Sequence, residues 1–220
     1  MQITEIFESI NGEVCFPHQG SLCTFIRTWG CVNNCGYCDT PQAKDRKFCK
    51  EMLISDVVDE VKRLNNTMVT ITGGEPLLQT KLSDLVFDLI EEDYVVSIET
   101  SGSVPLIENS GAFLVVDYKL PSSGMYDKMI LDNFYSYCYN EGDVIKFVVS
   151  DREDFDIAIS IVASMLQMNQ SALETLTFAF SPNYNKLSAK ELMLWMHQED
   201  LLKQLGAVLS LQLHKIIDVK

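Results

Sequence analysis

Three cysteines lie within eight residues of one another in the segment FIRTWGCVNNCGYCDT. Cys31, Cys35 and Cys38 are separated by three and then two residues. Thiolates are soft ligands, and Gly30 and Gly36 permit the tight backbone that turns three of them toward one centre. The candidates are an iron–sulfur cluster and zinc. A structural zinc site takes four ligands, usually as two separated pairs, and the chain has no second CxxC or HxxxH pair; zinc would have to recruit Cys49, Cys23 or His18. A 4Fe-4S cluster held by three thiolates leaves one iron open to a cofactor. The other four cysteines, Cys15, Cys23, Cys49 and Cys138, read as small apolar residues.

Further chemistry-bearing residues follow apolar runs. TGGEP carries Gly73, Gly74 and Glu75, and IETSG carries Glu99, Thr100 and Ser101. Two adjacent glycines free the backbone for a close approach. Arg27, four positions before Cys31, offers a planar fork of donors to a carboxylate; an ordinary surface charge is its plain alternative. DYKLPSSG contains Lys119, Ser122 and Ser123, and LQLHKII near the end contains Gln212 and His214.

The elements that must hold these residues are legible from periodicity. Strands are expected at 21–29, 68–72, 94–100, 113–118, 143–149, 175–181 and 207–217, short runs rich in Val, Ile, Thr and aromatics. The last would put Gln212 and His214 on one strand face, with Lys215 turned away. Helices are expected between them, with apolar spacing at Val57, Val58, Val61 and Leu64, and at Leu82, Leu85, Val86 and Leu89. Ser55 is the expected N-cap of the first, and Ser188 with Glu191 forms a capping box for the helix of Leu192, Trp195 and Met196. Such alternation predicts an α/β fold of mostly parallel strands. With 220 residues against the ~250 of a full eightfold barrel, a shortened, TIM-like βα barrel fits. Functional residues should then follow strand ends, as the segments above do. No repeat or linker divides the sequence, and one domain spanning 1–220 is expected.

Composition removes other classes. Seventeen Lys and Arg against 31 Asp and Glu give a net charge of −14, which disfavours direct contact with a phosphate backbone. No run approaches the ~18 apolar residues of a membrane span, and MQITEIFESINGE lacks the features of an export signal, so a cytoplasmic location without membrane contact is expected.

The cysteine spacing, with Tyr37 directly before the third cysteine, resembles that of radical S-adenosylmethionine (SAM) enzymes. The resemblance implies that Cys31, Cys35 and Cys38 hold a 4Fe-4S cluster. It also implies that Tyr37, Gly73, Gly74, Glu75, Glu99, Thr100 and Ser101 lie around the cofactor, with Lys119, Ser122 and Ser123 on the same active face. Within that superfamily, EIFESINGE, Arg27, CDT, DYKLPSSG and LQLHKII are similar to the 7-carboxy-7-deazaguanine synthases over nearly the whole chain. That family converts 6-carboxy-5,6,7,8-tetrahydropterin to 7-carboxy-7-deazaguanine with loss of ammonia, in queuosine and deazapurine biosynthesis. The likeness implies that Asn11, Gly12, Glu13, Arg27, Gln212 and His214 contact substrate and that Thr40 helps hold Mg2+. It also implies a homodimer and an electron donor such as a flavodoxin or ferredoxin. Asn11 and Val14 depart from the family's usual QGEG. A glycyl-radical activating enzyme is the competing reading within the superfamily, and a non-catalytic zinc module the one outside it.

Overall fold

The computed structural model describes residues 1–108, 110–137, 139–168 and 176–219; Cys138 and Thr175, the first residue of one expected strand, lie outside them. Nine strands form one sheet: β1 (Gln2–Ile10), β2 (Leu22–Thr28), β3 (Lys50–Glu51), β4 (Met68–Gly73), β5 (Val95–Thr100), β6 (Phe113–Tyr118), β7 (Val144–Val149), β8 (Thr177–Pro182) and β9 (Val208–Leu209). Their spatial order is β3-β1-β2-β4-β5-β6-β7-β8-β9. β1 is antiparallel to both its neighbours, and every pairing from β2 to β9 is parallel. The sheet runs from an edge at β3 to an edge at β9 without closing, as a shortened barrel requires.

Helices α1 (Ile54–Leu64), α2 (Leu82–Glu91), α3 (Asp132–Tyr135), α4 (Arg152–Met168), α5 (Ala189–Gln198) and α6 (Asp200–Gln204) lie between the parallel strands, except that among the described residues β5 runs to β6 without one, and α5 and α6 both precede β9. α1 buries Val57, Val58 and Val61, and α2 buries Leu82, Leu85, Val86 and Leu89. Each such side chain contributes roughly 1.5–3 kcal/mol by leaving water. They pack with the outward-facing residues of the strands, Ile26, Val116, Tyr118, Ile145, Phe147 and Val149 among them, in one core. Because strand side chains alternate, the residues between these face the barrel interior. Phe25 and Arg27, Val115 and Asp117, and Lys146 and Val148 line a cavity there. Among the described residues no helix is long and apolar enough to cross a membrane.

Three expectations are corrected. β1 was not expected, because Glu5 and Glu8 interrupt its apolar residues; it is held by pairing with β2 from Ile3 to Ile10. The helix of residues 54–64 is capped at Leu53, not Ser55: Leu53 N–H donates to Asp56 Oδ2 at 3.4 Å. The expected strand at 207–217 is only β9, followed by a short helix α7 (Leu213–Ile216). There the backbone leaves the sheet for the loop between β1 and β2. Leu213 N–H donates to Gly12 O at 2.7 Å, and Gln19 Nε2 donates to the carbonyls of Leu211 and Gly12. Gln212 therefore sits at the N-cap of α7 and His214 within it, and Lys215 joins His214 at the cavity wall instead of turning away. Ser188 does cap α5, its Oγ accepting from Glu191 N–H at 3.2 Å.

Candidate active site

A cavity of about 670 Å3 opens inside the partial barrel. The loop after the carboxyl end of β2 carries Cys31, Cys35 and Cys38 into one part of its wall, and the loop before the amino end of β2 contributes Gly12 and Glu13. Between them, strand residues and strand ends supply Arg27, Gly73, Gly74, Glu99, Thr100, Ser101, Asp117, Lys119 and Lys146, while Gln212 and His214 come from α7.

The three thiols are free, Cys31 and Cys35 half-buried and Cys38 exposed. Burial pushes the Cys31 and Cys35 thiols up. Lys119 opposes that shift at Cys35, and a hydrogen bond from Asn33 N–H (3.4 Å) and the charge of Lys44 oppose it at Cys31. Among the described residues no three His, Cys, Asp or Glu side chains converge where a single metal ion would sit, and Cys49, Cys23 and His18 are absent from the cavity wall. Three free thiols on one cavity wall supply the soft donor set that a polynuclear cluster takes, its sulfur ligands sitting on different irons. Tyr37 Oη and Asn33 Oδ1, also at this end, are buried without a hydrogen-bond partner.

The GGE segment, whose two glycines line the cavity, also packs against the cysteine loop. A β-carbon on Gly74 would lie 2.0 Å from Gly30 O, and one on Gly73 2.4 Å from the Thr28 backbone. The close approach these glycines permit is therefore to the start of the cysteine loop. Glu75 N–H donates to Gly30 O at 2.7 Å and completes the seat. The Glu75 carboxylate is fully buried and absent from the cavity wall. It accepts from Thr100 Oγ1 (2.7 Å), Ser101 N–H (2.9 Å), Ser101 Oγ (2.5 Å) and Leu77 N–H (3.2 Å). Its work is to hold Thr100 and Ser101, which do face the cavity.

Three other expected site residues are also absent from the cavity wall. Asn11 is buried, its Oδ1 accepting from Thr70 Oγ1 (2.6 Å) and Cys23 Sγ (3.3 Å), so its amide is spent tying the β1–β2 loop to β4. Ser122 donates through N–H and Oγ to Asp154, and Ser123 Oγ donates to Leu120 O at 2.6 Å; both shape the turn after β6. Glu99 is in the wall. The groups that act on its charge are Lys146, Glu13, Thr72 and Arg27. Burial raises its pKa, with Glu13 adding to the shift and Lys146 opposing it.

From Lys119, which acts on Cys35, a chain of ion pairs runs along the wall. Lys119 Nζ lies 2.9 Å from Asp117 Oδ2 and 5.8 Å from the Tyr37 ring centre. Lys146 Nζ lies 3.5 Å from the same Asp117 oxygen and bonds Glu13 Oε2, while Glu13 Oε1 accepts from Gln212 Nε2 at 2.7 Å. Burial pushes the Glu13 carboxyl up, but Lys146 and Gln212 outweigh it and hold its pKa at about 2. Burial lowers the His214 pKa against the pull of Glu13. Arg27 Nε donates to Glu5 Oε1 at 2.9 Å and its guanidinium lies 5.5 Å from the Phe7 ring centre. Thr40 and Asp39 line the rim, with Thr40 Oγ1 donating to Asp39 Oδ1 at 3.2 Å.

Sequence reasoning missed Glu5, Asp117 and Lys146. Asp117 and Lys146 are register partners on β6 and β7, and Lys146 meets a carboxylate 133 residues away. A charged residue inside the apolar run VIKFVV was the available signal.

Residues 25–115 match the model of the radical SAM superfamily. A 7-carboxy-7-deazaguanine synthase of Clostridium acetobutylicum is 37% identical to this chain, over 98% of it and 95% of the relative. Another, from Chlorobaculum tepidum, is 33% identical over 99% of this chain and 94% of the relative. The crystal structure of QueE from Escherichia coli superposes with a TM-score of 0.71 at 22% identity, covering 96% of this chain and 92% of that one. Near-complete coverage at this identity, with the three cysteines gathered on one cavity wall, leaves neither the glycyl-radical activase nor the zinc module standing: the chain belongs to the 7-carboxy-7-deazaguanine synthase family of radical SAM enzymes.

Proposed function

We propose that this cavity converts 6-carboxy-5,6,7,8-tetrahydropterin to 7-carboxy-7-deazaguanine with release of ammonia. The observation that carries the reading is that one cavity is lined by three free thiols, by the Arg27 guanidinium on the strand leading to them, and by the Glu13 carboxylate, held ionised by Lys146 and Gln212. When bound, a reduced 4Fe-4S cluster with SAM supplies the hydrogen-abstracting radical.

Cys31, Cys35 and Cys38 would ligate that cluster, with the backbone of Gly73 and Gly74 and the side chains of Thr100, Ser101 and Lys119 around the cofactor. Arg27 takes the substrate carboxylate: its Nε is engaged by Glu5, which leaves the terminal guanidinium nitrogens to form the fork. Glu13, ionised and acceptor-only, takes the N–H groups of the aminopyrimidinone edge, while Gly12 and His214 define the adjoining wall. Glu99 lines the same cavity. The residues around the cavity thus hold the substrate in one pose and exclude water, which is where a protein contributes most to a cofactor-driven reaction. Thr40, with Asp39 beside it, offers the oxygen donors that Mg2+ takes when substrate oxygens complete its shell. The fold is read as a single domain; a homodimer and reduction by a flavodoxin- or ferredoxin-like donor complete the proposal, on the family resemblance.

The test is anaerobic reconstitution followed by turnover with SAM, Mg2+, reductant and the carboxylated pterin. Formation of 7-carboxy-7-deazaguanine without stoichiometric 5′-deoxyadenosine is expected, and Cys35→Ala should lose both iron and product. A loaded protein that cleaves SAM yet forms no deazaguanine would sink the substrate assignment.

A further inference from the structure

Lys146 has no counterpart among the residues that the sequence singles out, yet it is the most connected charge in the cavity. Its side chain is 9% exposed. From β7 it bonds Glu13, near the start of the β1–β2 loop, and it reaches Asp117 Oδ2 on β6 at 3.5 Å, with Glu99 on β5 also acting on its charge. Glu13 is held on both oxygens, Oε2 by Lys146 and Oε1 by Gln212, the N-cap residue of α7. Each carboxylate oxygen accepts two hydrogen bonds, so one acceptor site per oxygen is left after these two contacts. Two sites side by side match the paired N–H groups of a cyclic guanidine-like edge.

We propose that Lys146 is a positioning residue that holds Glu13 ionised and oriented to accept the N–H edge of the substrate, acting through Glu13 without touching the reacting atoms. This rests on the carboxylated pterin being the substrate. Two consequences of the geometry support it. Without the ammonium, Glu13, Glu99 and Asp117 would share one wall with too little positive charge, and the enclosed carboxylates would take up protons instead. A protonated Glu13 presents a hydroxyl donor to a donor edge, which replaces an attraction with a mismatch. Lys146 also offsets the wall's negative charge against a substrate that is itself an anion.

The groups facing Glu13 are Lys146 on β7, Glu99 on β5, and Gln212 and His214 on α7, with Asp117 and Arg27 beyond them on β6 and β2. In the native protein Lys146 and Gln212 hold the Glu13 pKa at about 2, so pterin affinity between mildly acidic and mildly alkaline pH should not follow Glu13. In Lys146→Met the Glu13 pKa rises, and affinity should fall as pH is lowered through the new value.

The experiment uses the cluster-loaded full chain with SAM. Pterin affinity is measured between mildly acidic and mildly alkaline pH, and 13C NMR follows the glutamate carboxyls, with Glu13→Gln locating the Glu13 signal. Lys146→Met should weaken pterin binding by roughly tenfold or more near neutrality, steepen the loss toward acid, and bring a Glu13 titration into the accessible range. SAM binding and iron content should be unchanged, and Lys146→Arg should abolish the new titration. If Lys146→Met alone does not fold, the double variant Glu13→Gln/Lys146→Met, which removes both buried charges, takes its place and should load its cluster but bind pterin weakly. Native pterin affinity with no Glu13 titration in Lys146→Met, or native affinity in the double variant, would overturn the proposal. A Glu13 titration appearing in Lys146→Met while the native protein binds no pterin would support the hold of Lys146 on Glu13 and refute the substrate reading instead.

Discussion

The imidazole of His214 lies against the α-carbon of Gly12 so closely that a β-carbon there would sit 2.1 Å from Nδ1 and 2.8 Å from Cγ. Glycine is required at this point because a ring from the end of the chain closes over it. The backbone agrees, since Gly12 O accepts from Leu213 N–H one residue before the histidine.

Gly12→Ala should therefore displace His214 and the start of α7 without touching the cysteine loop. The expected outcome is a KM for the pterin raised about tenfold or more, equivalent to roughly 1.4 kcal/mol of lost binding, with native iron content and SAM cleavage. His214→Ala combined with Gly12→Ala should cost less than the sum of the two, because the shorter side chain relieves the clash. Steady-state kinetics on the three variants, each normalised to iron, decides it; strict additivity would show that the contact has no energetic weight.

Gly74 makes a comparable contact at the other end of the cavity. A β-carbon there would meet Gly30 O at 2.0 Å and Cys31 Cβ at 3.0 Å, and backbone atoms have little room to yield. Gly74→Ala should push the GGE segment off the cysteine loop, cost about 1–3 kcal/mol of stability and impair cluster assembly. Iron and sulfide per chain after reconstitution, read beside apo-protein melting, would show both effects. Full cluster loading would mean that the seat does not position the thiols.

These two contacts mark where sequence reasoning succeeds and where it stops. β4 through β7 are legible almost to the residue, because each is a β-branched or aromatic run buried on its outward face by a helix. The thiol, glycine and arginine positions are legible because short spacings or strand ends fix them. β1 is not, since Glu5 and Glu8 dilute its pattern and pairing with β2 holds it in place. The segment 207–217 misleads for the opposite reason: its residues suit a strand, but beyond β9 its backbone partners are in the loop of Gly12. That Asn11 and Glu75 lie outside the cavity wall is not legible, because a polar residue beside a functional motif reads the same whether it faces the ligand or braces the segment that does.

The ionised state of Glu13 has a consequence for acid stability whose sign follows from its lowered pKa. A carboxyl near 4.5 when unfolded and about 2 when folded contributes stability that is present in full above the higher value. That contribution is lost as pH falls from about 4.5 toward 2, and it amounts to about 3 kcal/mol. Glu99, whose pKa burial raises, works in the opposite direction, so the native protein shows only the difference. Glu13→Gln should flatten the acid limb of stability against pH, measured by denaturant unfolding of the apo protein. An acid limb as steep as the native one would place the acid sensitivity elsewhere.

Glu75 tests the distinction between bracing and contact. Its four accepted hydrogen bonds all come from the protein, and Ser101 Oγ lies 2.8 Å from Ser103 Oγ, which in turn accepts from Asn33 Nδ2 at 2.8 Å inside the cysteine loop. The carboxylate thus braces the ends of β4 and β5 and, through two serines, the loop between Cys31 and Cys35. In Glu75→Gln the amide turns a donor toward groups that themselves donate, which should cost about 1.5–3 kcal/mol. SAM affinity should fall together with melting temperature, and Glu75→Asp should lose both because its shorter side chain cannot span the same donors. A direct contact with the cofactor would instead give a Glu75→Gln protein of native stability with weakened SAM binding, so calorimetry on the apo protein separates the two roles before any turnover is measured.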